Sequence, residues 1–475
     1  MSMEQERTYA ESLSETPSVL RYSDMIKVGT PIADTQIHTL IPSNGGTFQP
    51  NQQIRIPFNI PTDSFANLKG AYINYTINNT TKDAANADKP LFLDPVVGGA
   101  SIIDTWRVVS GTGALLEEIQ HYSVIYGLCA DMVSEDHRTS HLSVMERSAN
   151  APTLQSGLSQ GITDGAVLTG TRPNNSIVAG GNVRITHKPM SGLFNADRLA
   201  PLGFATGTSY VEITLPDVNN PFAVDKALNT ASAITPSWTI SNVELVLPVL
   251  RMGSEFNSSF RQLLSAGVPI NWHSTSYHNV QSSLSNGIGQ ITNTVSARKR
   301  SVKSIMSCIR KTADLTNKLV DSNTARRSCG VVQWNYEVGG IQYPAKDIKQ
   351  NKPLALTAGS RNMGESFAQL QNCFANLGNI YTGTCITQDN FISANDNTTS
   401  SKISYGLDLE SYGHSDVQSG KNLANQGLPI VFNATLDSAT SFLATATNTG
   451  LVDTFLMYDV IYTLDGVSGT ISASS

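Results

Sequence analysis

The chain has 475 residues, of which 40% are hydrophobic and only 15% charged, against about 25% charged in an average soluble protein. Ser, Thr, Asn and 36 Gly stand where charge is missing, a balance that excludes a mostly helical protein, whose surface helices need Glu and Lys. The formal charge of -6 excludes a chain whose whole surface neutralises phosphates, although a local patch can still do so.

The opening stretch MSMEQERTYAESLSE carries four Glu and no apolar run, and no later stretch reaches 18 apolar residues. The expectation is a protein made in the cytosol, without signal peptide or membrane span. Residues 1–35 are weakly patterned and punctuated by Pro17, Gly29 and Pro31, as in an arm that lies on something else.

From Gln36 onward, short β-branched and aromatic runs alternate with Pro, Gly and Asn clusters: QIHTLIP at 36–42, QQIRIPFNIP at 52–61, AYINYTINN at 71–79 and SIIDTWRVV at 101–109. In the second of these, Ile54, Ile56, Phe58 and Ile60 share one face at period two, so one face is buried and the other wet. After Ser110-Gly111-Thr112-Gly113 the period changes. Leu115, Ile119, Tyr122, Ile125 and Tyr126 fall at helical spacing, with Glu117 and Glu118 near the start, where the dipole favours them; the spacing predicts a helix over this stretch. Residues 146–181 form a long Gly/Ser/Thr/Asn loop, and strands resume at 182–189, 209–216 and 238–250.

The second half repeats this order of parts without repeating the letters. Strand signals at 269–280 and 331–344 precede a helical signal at 361–378, a second Asn/Thr/Gly-rich loop at 379–401, and strands at 402–411, 428–437 and 454–465. The economical reading is mainly β: two tandem β-sandwiches of about 200 residues with short inserted helices, a single large β-fold being the alternative, since periodicity does not fix which strands pair. The expected divisions are an arm (1–35), a first sandwich (36–252), a linker (253–268), a second sandwich (269–466) and a tail (467–475).

The motifs that could carry chemistry are weak. Gly157-Leu158-Ser159-Gln160-Gly161 matches a nucleophile elbow by letters, but its flanks are loop-like where a strand and a helix are needed. His137 and His141 lie four apart without HExxH or a third ligand, which favours a solvated helix end. No GxxxxGK[ST] loop occurs, and the GTG at 111–113 lacks the rest of a dinucleotide fingerprint. The five cysteines, Cys129, Cys308, Cys329, Cys373 and Cys385, include no CxxC and are read as buried thiols. Sequons at Asn74, Asn78, Asn79, Asn174, Asn257, Asn397 and Asn433 are read as incidental in so Asn- and Thr-rich a chain. No catalytic, cofactor or metal residue is assigned.

One charge cluster stands out. Arg298, Lys299, Arg300, Lys303, Arg310, Lys311 and Lys318 gather with only Asp314 opposing them, and Val302, Ile305, Met306, Ile309 and Ala313 recur at helical spacing. An amphipathic helix inserted at 296–328, basic side out, is expected. It could face nucleic acid, an anionic membrane or an acidic partner, or be a solvated helix; ARKRSVK is also similar to a nuclear-import signal.

The order of phrases resembles a known family. FQPNQQIRIPFNIPTDSFANLKGAYINYTI, LDPVVGGASIIDTWRVVSGTGALLEEIQHYSVIYGLCADM and LFNADRLAPLGFATGTSYVEITLPDV resemble the first barrel of double jelly-roll major capsid proteins of eukaryotic double-stranded DNA viruses, of the polinton-like, virophage and nucleocytoplasmic large DNA virus type. ISYGLDLESYGHSDVQSGKNLANQGLPIVFNATLD and LMYDVIYTLDG are similar to the close of their second barrel. The resemblance covers most of residues 36–466; the 296–328 segment departs from the pattern and leaves the second barrel's boundaries open.

The resemblance implies two upright eight-stranded jelly rolls per chain, three chains forming a pseudo-hexameric capsomer, and an icosahedral shell assembled in the host cytosol or nucleus. It implies a structural protein, not an enzyme, needing no cofactor. Its partners would be its own copies, penton and minor capsid proteins, and nucleic acid or an internal membrane through the basic residues, which would then face inward. Loops 146–181 and 379–401 would be outward towers and the arm a tie beneath the capsomer. A glycan-binding or attachment β-sandwich is the competing class, and a hydrolase using Ser159 a third.

Overall fold

The structure is a computed structural model that describes residues 32–83, 86–148, 175–223, 234–317, 321–350, 363–374, 384–392, 400–410, 420–424, 429–438 and 441–475. Ser159, Lys318 and most of the arm and of the two long loops lie outside the described residues.

The first half builds eight principal strands: β1 (Ile32–Leu40), β2 (Gln53–Pro57), β3 (Tyr72–Asn79), β4 (Thr105–Val109), β5 (Leu115–Ile119), β6 (Asn182–His187), β7 (Tyr210–Thr214) and β8 (Trp238–Met252). Between β5 and β6 lies helix α1 (Tyr122–Asp131). Two antiparallel sheets result, in the orders β1-β8-β3-β6 and β2-β7-β4-β5, with short strands at Thr47–Phe48 and Ser64–Ala66 added to β8.

Helix α2 (Ser254–Ser265) then leads into the second half, so the segment expected as a plain linker carries three turns of helix. The second half builds β9 (Ile270–Leu284), β10 (Gln290–Val295), β11 (Val302–Lys311), β12 (Val331–Val338), β13 (Ile341–Lys349), helix α3 (Gly364–Phe374), β14 (Tyr405–Asp408), β15 (Ile430–Leu436), β16 (Gly450–Leu464) and β17 (Ile471–Ser474). Its sheets run β9-β16-β11-β14 and β10-β15-β12-β13. Each strand of the first half thus has a counterpart eight labels later, in the same place. Within each half the partners first and eighth, second and seventh, third and sixth, fourth and fifth pair antiparallel, as in one long hairpin rolled up into a sandwich. That is the jelly-roll topology, present twice. The expected C-terminal tail instead contributes β17, which extends the sheet by pairing with β16.

Alternation explains most of the core. In β2, Ile54 and Ile56 are buried while Gln53 and Arg55 are exposed; Arg55 lies 3.5 Å over the Tyr210 ring on β7. The correspondence between halves reaches single side chains. Trp106 on β4 and Trp334 on β12 are both buried, and each meets the helix that follows: Trp106 stacks on Tyr122 of α1 at 6.1 Å, and Trp334 Nε1 donates to Ser366 Oγ of α3 at 3.0 Å.

Two expected helices are corrected. The chain over 115–119 is strand β5, paired with β4 so that Arg107 meets Glu118 at 2.5 Å; the helix begins only at Tyr122, after His121 takes a left-handed φ of 49°. The basic 296–328 segment is not an amphipathic helix either. Its apolar residues form β11, which lies between β16 and β14 with its sandwich core on one face and α3 on the other. A strand covered on both faces loses the period of two, and Val302, Ile305 and Ile309 are β-branched residues that fit it. Among the described residues there, only Thr312–Leu315, beyond its end, is helical.

Candidate functional site

The most heavily built polar region is the seam where the jelly rolls meet. Asp131, the last residue of α1, is completely buried and receives Arg326 and Lys402, both from the second roll. Burial pushes its carboxyl up, but Lys402 and Arg326 outweigh that effect and hold it below the usual carboxylate range. The Asp131 carbonyl also accepts from Cys385 N at 3.1 Å and Thr384 Oγ1 at 2.7 Å. One residue thereby ties the end of a first-roll helix to three segments of the second roll.

Glu117 on β5 is the second anchor. It accepts from Ser191, from Gly192 N at 2.6 Å and, across the seam, from Ser276 on β9. Burial raises its carboxyl above the ordinary value, although these donors oppose the shift. The approach here is close enough to require glycine: a Cβ on Gly192 would stand 2.8 Å from Thr275 O and 3.0 Å from Glu117 Oε1. Further along, Ser123 Oγ donates to Asn323 Oδ1 at 3.0 Å and Thr324 Oγ1 to Asp94 Oδ2 at 2.7 Å. These contacts hold two sandwiches in one orientation.

A second buried network lies inside the first roll. His187 bonds Tyr122 OH at 2.7 Å and Glu146 Oε1 at 2.9 Å, and Tyr126 OH donates to the same Glu146 oxygen at 2.7 Å. Burial pushes both tyrosine hydroxyls well up, so they stay protonated and act as fixed donors that pin α1 to β6 and to the start of the long loop.

The basic residues singled out from sequence do not form one surface. Arg310 is buried in β11 and donates to Asp453 of β16 at 2.6 Å. Lys303 is paired with Glu410 at 3.1 Å and Asp459 at 3.5 Å. Lys299 lies 4.0 Å over the Tyr458 ring and donates to Ser475 Oγ at 2.9 Å. Lys311 is half-buried, and Arg298 and Arg300 remain exposed. The acids that neutralise the cluster come from β16 and from Glu410, more than a hundred residues away, which is why the sequence reads as unopposed charge.

The remaining motifs resolve simply. The His137 and His141 rings stack at 4.9 Å on a short helical stretch, and among the described residues no group of three or more His, Cys, Asp or Glu could hold a metal ion. None of the five cysteines is in a disulfide, and all but half-buried Cys129 are buried; burial pushes the Cys129 and Cys308 thiols up to about 12, so they stay protonated and unreactive. No helix is long and apolar enough to cross a membrane among the described residues. Of the residues that organise the seam, Asp131, Arg326 and Lys402 were not singled out by the sequence reading, and Glu117 was noted only as a charge near the start of an expected helix. The one available signal was acids inside apolar runs, as in LLEEI and GLCADM.

No family model and no curated protein matches the sequence. Solved structures match nearly end to end. PBCV-1 VP54, fitted into a cryo-EM reconstruction of the virophage Sputnik, is 9% identical with a TM-score of 0.56, over 93% of this chain and 97% of that one. A chain of the Sputnik virophage structure solved by cryo-EM is 11% identical with a TM-score of 0.54, over 97% and 92%. The Faustovirus major capsid protein is 9% identical with a TM-score of 0.50, over 92% of each chain. At such identities the likeness is one of fold, and it establishes that both jelly rolls, side by side in one chain, form a shared architecture.

Proposed function

We propose that the chain is a major capsid protein, a non-catalytic building block of an icosahedral virus shell that acts by associating with its own copies. The observation that carries this reading is the duplicated topology: two sandwiches with one strand order, fixed by a buried seam, in a chain that matches solved structures, the Faustovirus major capsid protein among them, over more than nine-tenths of their length. Three such chains present six similar sandwiches, enough to fill a pseudo-hexagonal tile by threefold symmetry.

Surface features support self-association. Among the described residues β1 stands at the edge of its sheet, with Ile37 72% exposed, and Ile41 just beyond it is 66% exposed. Such an edge needs a cover, and a neighbouring copy supplies one. In the particle the chain is a virion component, with penton and minor capsid proteins as its other partners. Of the basic residues, Arg298 and Arg300 are free to meet an inward ligand, a genome or an internal membrane.

Negative-stain microscopy and light scattering of the purified protein test the reading. Threefold blocks of pseudo-hexagonal outline and a trimer mass are expected at micromolar concentration; a monodisperse monomer under the same conditions would overturn it.

A further inference from the structure

Among the described residues, every buried acid but one has a partner on its carboxylate. Asp131 has Arg326 and Lys402, Asp314 has Arg327, Asp453 has Arg310, and Glu117 has its hydroxyl and N–H donors. Asp321 is the exception. It is 3% exposed, and neither carboxylate oxygen has a hydrogen-bond partner among the described residues. Its carbonyl accepts from Thr324 N and Ala325 N, forming a turn, and the hydroxyl of that same Thr324 reaches Asp94 of the other jelly roll at 2.7 Å.

Asp94 is 2% exposed and has N–H donors, Val96 at 2.9 Å and Val97 at 3.1 Å, but no cationic side chain among the described residues. Asn175 lies alongside, holding both sides of Leu93: its Nδ2 donates to Leu93 O at 2.7 Å and its carbonyl accepts from Leu93 N at 2.9 Å. Its side-chain Oδ1, also buried, is left without a partner among the described residues.

Two carboxylates this deep in a low-dielectric seam cannot both stay ionised without a counter-charge. Among the described residues neither carboxylate is ion-paired, and Arg326 and Lys402 are committed to Asp131. A proton shared between the two carboxyls would remove one of the charges, whereas a divalent cation would balance both. The donors on offer are all oxygen, two carboxylates and an amide carbonyl, the set a hard cation takes with water completing its shell; zinc and copper would want nitrogen or sulfur.

We propose that Asp94 and Asp321, joined by Asn175 Oδ1, form a site for a hard divalent cation of the calcium class, which clamps the two jelly rolls together. The inference is independent of what the chain assembles into.

The test uses the full chain after treatment with EDTA. Calcium chloride titrated by calorimetry should bind at one ion per chain, and native mass spectrometry should show the same stoichiometry without any variant. Thermal unfolding should shift upward with the logarithm of calcium concentration above the dissociation constant. Asp321→Asn should lose both heat and shift while unfolding no earlier than the EDTA-treated parent, because it removes a charge that no described residue neutralises. No heat, no bound ion and no shift with calcium or magnesium would overturn the proposal. An equal shift in Asp321→Asn would place the ion elsewhere and overturn it too. A parent that ignores calcium but gains stability between pH 7 and pH 5 would identify a proton as the neutralising species, and the cation site would again be refuted.

Discussion

Replacing Asp131 by Asn isolates the seam. The substitution keeps the shape and removes one charge, leaving Arg326 and Lys402, 2% and 7% exposed, without a counter-ion. Breaking a buried ion pair from one side costs about 3–5 kcal/mol, and here two cations are stranded by one change, so the upper end is expected. Against a total stability of roughly 5–15 kcal/mol, that is a large fraction.

Urea titration followed by tryptophan fluorescence measures it, since Trp106 and Trp238 report on the first roll and Trp272 and Trp334 on the second. The parent should unfold in one transition. Asp131→Asn should lower the midpoint and separate the signals of the two rolls. The combined variant Asp131→Leu, Arg326→Met, Lys402→Met should recover much of the loss, because apolar groups of similar volume carry no stranded charge. A loss under about 1 kcal/mol, or a combined variant no better than the single one, would refute the account of the seam as charge-matched.

Glu117→Ala should cost about 3 kcal/mol or more by orphaning its buried donors, whereas Glu117→Gln should stay within about 1.5 kcal/mol; equal losses in urea titration would show that packing, not hydrogen bonding, matters there. Gly192→Ala should destabilise by about 1–3 kcal/mol through the clash with Thr275 O, and an unchanged midpoint would mean the seam yields easily. The metal-free chain should gain stability as pH falls from neutral toward the ordinary carboxylate range. Burial raises the carboxyls of Asp321, Asp94 and Glu117, so the folded state takes up protons there before the unfolded one does. Asp131 has the opposite sign: its contribution, full above its unfolded value, is lost as pH falls through its lowered folded value, so urea midpoints should pass through a maximum on the acid side. Charge reversal at Arg298 and Arg300 should impair particle yield or content, while reversal at Arg310 should simply unfold the protein; identical particle phenotypes from both would count against a surface role.

The strands were legible where one face is wet. QIRIPFNI declares its two faces by alternation, and β3, β6, β7 and β15 were marked the same way. β11 was not, because covering both faces erases the alternation and the surviving apolar spacing happened to match a helix. Leu115–Ile119 failed for a related reason: it runs straight into α1, and the two apolar sets merged into one apparent helical stripe. The seam was invisible in principle. Asp131 stands 195 residues from Arg326 and 271 from Lys402, and no local pattern encodes a partner that distant. The same distance explains the basic cluster, whose neutralising acids belong to other strands.

In each roll the strand that closes the fold, β8 or β16, is last of the eight in the chain yet sits inside its sheet, between β1 and β3 or between β9 and β11. A ribosome emitting this chain therefore holds each sheet open until the eighth strand has emerged, and then inserts a 15-residue segment between strands made long before. The first roll can close while the second is still being translated, but its Asp131 must wait, unmatched by Arg326 and Lys402, for the rest of the message. Nascent chains stalled just before residue 270 should for that reason be soluble yet hungry for chaperone, and those released after residue 464 should not.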